Sequence, residues 1–99
     1  MPKFTVSKPV QSDMRAIVRY TFETWGADQA VRYAHSMRTC FQTLAENPGI
    51  GRECDAISSG LHRHEQGKHV VFYRLKQGGI RIVRVLHQQM VPAKSHFEH

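Results

Sequence analysis

The spacing of apolar residues switches twice along this chain. Lys3 to Ser7 alternates, with Phe4 and Val6 on one side, which predicts a short strand. Ser7-Lys8-Pro9 then reads as a helix start, a Ser cap followed by a Pro tolerated in the first turn. From there Val10, Met14, Ile17, Thr21 and Trp25 recur at helical spacing, while Arg15, Arg19 and Glu23 fall on the other side. This predicts an amphipathic helix that ends at Gly26, a residue able to take a left-handed cap. A second helix follows from about Asp28 to Glu46, with Ala30, Ala34, Met37, Phe41 and Leu44 as its apolar stripe. Asn47-Pro48-Gly49 stops it. So short a joint makes the two helices an antiparallel hairpin, with Ala30 and Ala34 small enough for close approach near the turn.

Residues 49–60 read as a loop, with Gly49, Gly51, Ser58, Ser59 and Gly60. Strand patterns then run over about 61–66, 69–76 and 80–88, joined by tight turns at Gly67-Lys68 and Gly78-Gly79. Val70 to Tyr73 is continuously apolar, which predicts a central strand covered on both faces. In the last strand Ile80, Ile82 and Leu86 are expected on one face, and Arg81, Val83, Val85 and His87 on the other. The tail, Val91 to His99, is polar and expected to be mobile. The element order is β-α-α-β-β-β. It predicts one α+β domain over residues 1–99, a helical hairpin on one face of a mostly antiparallel four-stranded sheet.

Charge sharpens the picture. Residues 61–99 carry seven Lys and Arg against two acids, which is +5 of the formal +6, and six of the seven histidines. An acid-poor sheet with a pI near 9.8 predicts an acidic partner, either nucleic acid or a protein that masks the charge. No apolar run is long enough to span a bilayer, no apolar leader opens the chain, and Cys40 and Cys54 are too few for a disulfide scaffold. The expectation is a cytoplasmic protein with reduced thiols.

Several residue groups bear on chemistry. Arg63, Arg74, Arg81 and Arg84 fall on neighbouring strands, and guanidinium groups suit phosphate and carboxylate. His62 and His64 share a strand face, but even with His69 they lack a convincing third metal ligand. His87 in a sheet with Arg63, Glu65, Tyr73, Arg81 and Arg84 contains the groups for acid–base phosphoryl chemistry on RNA. The alternative is a strand-end histidine bonded to backbone. Trp25 and Tyr33 flank the helical turn, where packing is the expected role. Cys54 sits beside Glu53 and Asp55, which disfavours a thiolate nucleophile. Phosphate-loop, dinucleotide and paired-cysteine zinc motifs are lacking, so no cofactor and no metal is expected.

Four segments together resemble the ParE-type toxins of the RelE/ParE superfamily. Tyr20-Thr21-Phe22-Glu23-Thr24-Trp25-Gly26 with Gln29-Ala30 and Tyr33 resembles that family's helical-hairpin signature. Asn47-Pro48-Gly49-Ile50-Gly51-Arg52-Glu53-Cys54-Asp55 resembles its loop, and Phe72-Tyr73-Arg74 and Ile82-Val83-Arg84-Val85-Leu86-His87 resemble its strands. The similarity spans roughly residues 5–90. It implies a RelE/ParE fold and the toxin of a type II toxin–antitoxin module, with DNA gyrase inhibited by binding, not by catalysis. It also implies a ParD-like ribbon-helix-helix antitoxin as partner, through which alone operator DNA is bound, and no membrane partner.

On that reading the gyrase-facing residues are Arg63, Lys68, Arg74, Arg81, Arg84 and His87. Val18, Tyr20 and Phe22, which lie off the main stripe of the first helix, are expected to meet the antitoxin. The alternative is a ribosome-dependent mRNA endonuclease of the RelE branch. The tail opposes it, since Val91 to His99 contains neither tyrosine nor arginine. The chain also departs from ParE-type sequences by carrying Gln88-Gln89-Met90-Val91 where they follow the His with Arg-Met-Asp. A third reading is an inactive module that still binds antitoxin.

Overall fold

A computed structural model describes residues 2–97. Strand β1 (Lys3–Val6) leads into helix α1 (Lys8–Trp25), and helix α2 (Ala27–Glu46) follows after one residue. Strands β2 (Arg52–Glu53), β3 (Leu61–Gln66), β4 (His69–Lys76) and β5 (Gly79–His87) complete the sheet, and a 3-10 turn at Lys94–Phe97 closes the described chain. The sheet has five strands in the order β1-β5-β4-β3-β2, one more than expected. The extra strand is β2, inside the anticipated loop. Its two residues are too few to show an alternating pattern. β1 runs parallel to β5 and every other pair is antiparallel.

The helix boundaries follow local chemistry. The Ser7 hydroxyl accepts from the Val10 N–H at 3.3 Å, which caps α1, and donates to the Val83 carbonyl at 2.9 Å. Gly26 both ends α1 and begins α2. Its φ of +93° turns the chain sharply, its N–H donates to Phe22 O, and its carbonyl accepts from Ala30 N–H.

Two apolar layers result. Between the helices and the sheet lie Val10, Ile17, Met37, Phe41, Leu44, Val71, Tyr73, Ile80, Ile82 and Val85. On the outer face Leu61, Val70, Phe72, Val83 and Leu86 are covered by Cys54, Ile57 and Phe97. The central position of β4, covered on both faces, is as expected. The tail departs from the picture of a loose end, because Phe97 is buried with its ring 4.8 Å from that of Phe72. A nine-residue polar average conceals one aromatic anchor. Glu98 and His99 lie outside the described residues.

Two further expectations are corrected. Trp25 is 66% exposed and not part of the core, because α1 ends there and its last turn, Phe22 to Trp25, is exposed throughout. The alternation in β5 is broken by a bulge opposite Phe72/Tyr73, where Phe72 pairs with Arg84 but Tyr73 pairs with Ile82. Val83 lies outward as expected, but beyond it the faces switch, so Val85 joins Ile80 and Ile82 against the helices while Leu86 turns outward.

Candidate functional site

The bulge is held open by a clasp from α1. β1 stops at Val6, opposite Ile82, so the edge of β5 beyond it needs other partners. The Ser7 hydroxyl takes the Val83 carbonyl. The Asp13 carboxylate takes the Val85 N–H at 3.0 Å and, side-on, Arg84 Nε at 2.8 Å and Nη2 at 2.9 Å. That hydrogen bonding raises the Arg84 pKa above the usual arginine value. Arg84 Nη1 also reaches the His96 carbonyl, which ties the tail to the same knot. Arg84 therefore joins helix, bulge and tail, and its charge is already neutralised within the chain.

The remaining sequence-predicted residues separate by face. His87 packs edge-on against His69 with ring centroids 5.4 Å apart, on the helix side of the sheet. There the Tyr33 hydroxyl donates to the Gln66 carbonyl and lies 2.6 Å from His69 Nδ1. Burial, aided by His87, lowers the His69 pKa. His62 stacks on Tyr73, and the Tyr73 hydroxyl donates to Pro48 O at 2.7 Å and accepts from Gly51 N–H at 3.0 Å. Arg63, Glu65, Arg74 and Arg81 lie on the outer face. Arg63 sits over the Phe72 ring, and Glu65 pairs with both Arg63 and Arg52. Arg74 donates to Ser59 O and Ser58 Oγ. Arg81 and Lys68 are exposed, the latter in the β3–β4 turn.

The acid–base set read from sequence is thus not assembled. His87 and Tyr73 face the helices, Glu65 and Arg81 face away, and Arg84 is engaged with Asp13. Burial pushes the Cys40 thiol up to about 11 and raises that of Cys54, so neither is a ready thiolate. Among the described residues no cluster of three or more His, Cys, Asp or Glu side chains is placed to hold a metal ion. No described helix is long and apolar enough to cross a membrane.

What the molecule does present is a groove. Met14, Val18 and Phe22 of α1 face Ala27, Ala30, Val31 and Ala34 of α2 across an open, apolar depression of about 750 Å³, rimmed by Arg15 and Arg19. Two of the expected antitoxin residues, Val18 and Phe22, line it. Tyr20 is exposed but projects elsewhere on α1. The α2 wall went unnoticed in the sequence, where Ala30 and Ala34 suggested only close helix packing. Val31, 69% exposed and off the core stripe, was the signal for it.

Several of the segments that resemble the toxin family meet in these contacts. Tyr73 pins the Pro48–Gly51 loop, Tyr33 joins α2 to β4, and Arg84 fastens α1 to β5. Their first duty is to the fold.

Comparison with known proteins agrees. The model of the family described as the ParE toxin of the type II toxin–antitoxin system parDE matches residues 4–92. Toxin ParE1 of Mycobacterium tuberculosis is 38% identical over 89 residues, covering 89% of this chain and 91% of the relative. Toxin ParE1 of Caulobacter vibrioides is 37% identical over 92 residues, covering 91% and 93%. Among solved structures, a chain of the chromosomal ParDE system from P. aeruginosa shares the fold with a TM-score of 0.73 at 20% identity, covering 88% of this chain and 96% of that one. The chain belongs to the ParE toxin family of type II toxin–antitoxin systems.

Proposed function

We propose that this toxin acts in the cytoplasm by binding DNA gyrase, without catalysis of its own, and that a ParD-type antitoxin silences it through the α1–α2 groove. The observation that supports binding over catalysis is the division of the acid–base residues between the two faces of the sheet. A general base must lie within hydrogen-bond reach of the proton it takes, near the group that stabilises the developing charge. Here His87 and Arg81 are on opposite faces, which also disfavours the mRNA endonuclease reading.

The groove suits an amphipathic helix, which would bury its apolar side on Val18, Phe22 and Val31 and set acidic residues against Arg15 and Arg19. Of the gyrase-facing candidates, Arg81 and Lys68 are exposed and Arg63, Arg74 and His87 are partly so, whereas Arg84 is committed to Asp13.

Purified toxin is expected to stop gyrase supercoiling, and the antitoxin to restore it. Phe22→Asp is expected to leave inhibition intact but prevent rescue. Rescue of Phe22→Asp at wild-type antitoxin concentrations would remove the groove from the account. Normal supercoiling with folded wild-type toxin would remove gyrase.

A further inference from the structure

One row of the sheet carries a feature that the fold does not need. Thr5 of β1, Arg81 of β5 and Arg74 of β4 are register neighbours across three strands. All three side chains lie on the outer face. Phe4 and Val6 on either side of Thr5, and Ile80 and Ile82 on either side of Arg81, pack toward the helices. Arg74 reaches the Ser58-Ser59 loop that covers the outer face. The next row repeats the sign, with Lys3 and Lys76 flanking Gly79.

Like charges directly opposite one another on a sheet destabilise it. Arg74 and Arg81 are such a pair, and among the described residues no carboxylate forms a salt bridge with either, nor with Lys3 or Lys76. Arg74 meets only neutral acceptors, Ser59 O and Ser58 Oγ. Beside them the Thr5 hydroxyl is shielded from solvent and has no hydrogen-bond partner among the described residues. A row with two guanidinium groups side by side and no counter-charge is completed by an anion on it.

We propose that this face, built from Lys3, Arg74, Lys76 and Arg81, holds the sugar–phosphate backbone of DNA. Strand spacing sets the cations on a grid. The Cα positions of Arg74 and Arg81 lie about 5 Å apart, and those of Lys3 and Lys76 about 10 Å apart. That grid matches a line of phosphates better than one small anion. The face includes no aromatic side chain on which bases could stack, so it reads the backbone and not the sequence. The proposal rests on the gyrase reading for its purpose, which is to grip the DNA that gyrase holds. DNA binding by free toxin is nevertheless measured without gyrase, so the two readings fail separately.

The test is fluorescence anisotropy of a labelled 20-base-pair duplex with purified toxin at several salt concentrations. Engagement of three or four cations predicts a log–log salt slope of about −3. Arg81→Gln and Lys3→Gln, at exposed positions, are each expected to weaken binding roughly tenfold at 0.1 M salt and to reduce the slope by about 1. Arg32→Gln, an equal charge change on the exposed side of α2, is expected to leave affinity unchanged within about twofold. Salt-independent binding, no binding, or equal losses for all three variants would overturn the proposal. So would a poly-glutamate peptide that binds as tightly as the duplex and loses affinity in the same two variants, since the face would then be a protein site.

Discussion

Removing the Asp13 carboxylate tests whether Arg84 belongs to the fold or to the target surface. The Asp13 side chain is 12% exposed and that of Arg84 21% exposed. Asp13→Ala deletes three hydrogen bonds, strands a guanidinium charge and leaves the Val85 N–H without its acceptor. Breaking a buried ion pair costs about 3–5 kcal/mol. Water still reaches a fifth of Arg84 and screens the orphaned charge, which brings the expected loss to about 2–4 kcal/mol. For a domain of this size each kcal/mol moves Tm by about 4–8 °C, so a fall of about 8–30 °C is expected by calorimetry. Arg84→Ala should lose nearly as much, since the tail contact at His96 goes with it. The double variant should be more stable than the sum of the single losses predicts, with a coupling of at least about 1.5 kcal/mol. A fall below about 4 °C for Asp13→Ala, with additive losses in the double variant, would refute the clasp and return Arg84 to the list of target-facing residues.

Other outcomes follow from the same contacts. Ser7→Ala removes the α1 cap and orphans the Val83 carbonyl, at an expected cost of about 1–2 kcal/mol in urea denaturation. Phe97→Ala is expected to cost about 2–3 kcal/mol, less than the ~3–5 of a mid-core Phe because a terminal segment can settle. A loss under about 0.5 kcal/mol would mean that the ring does not pack on Phe72. The His69 pKa is lowered in the fold by burial and by His87. Below the ordinary histidine value of about 6.5 the unfolded chain therefore binds the proton first. Stability from this group is full above that pH and falls as pH drops from there through the lowered folded value. His69→Gln should flatten that part of the stability profile, and an unchanged slope between pH 6.5 and 4.5 would count against it.

Sequence pattern carried the helices and the three long strands to within a residue or so, because each has several turns or alternations to average over. It failed where one residue decides. The β5 bulge depends on Asp13, 71 residues from Arg84, and no local period records so distant a partner. That single insertion moved Val85 and His87 to the helix side and dispersed the supposed acid–base set. Trp25 fits the core spacing, but the last turn of α1 is exposed. β2 is too short for a pattern, and Phe97 is one aromatic in a polar tail. The basic outer face was visible as charge. That Arg74 and Arg81 stand side by side without a carboxylate required the register.

The most direct test of the central claim, inhibition by binding, sets purified toxin against gyrase supercoiling and, in parallel, against a translating ribosome extract, with His87→Ala run beside the wild type. The account predicts loss of supercoiling or accumulation of cleaved DNA by the wild type, and intact mRNA with both proteins. Codon-periodic mRNA cuts that vanish in His87→Ala, with gyrase unaffected, would contradict it.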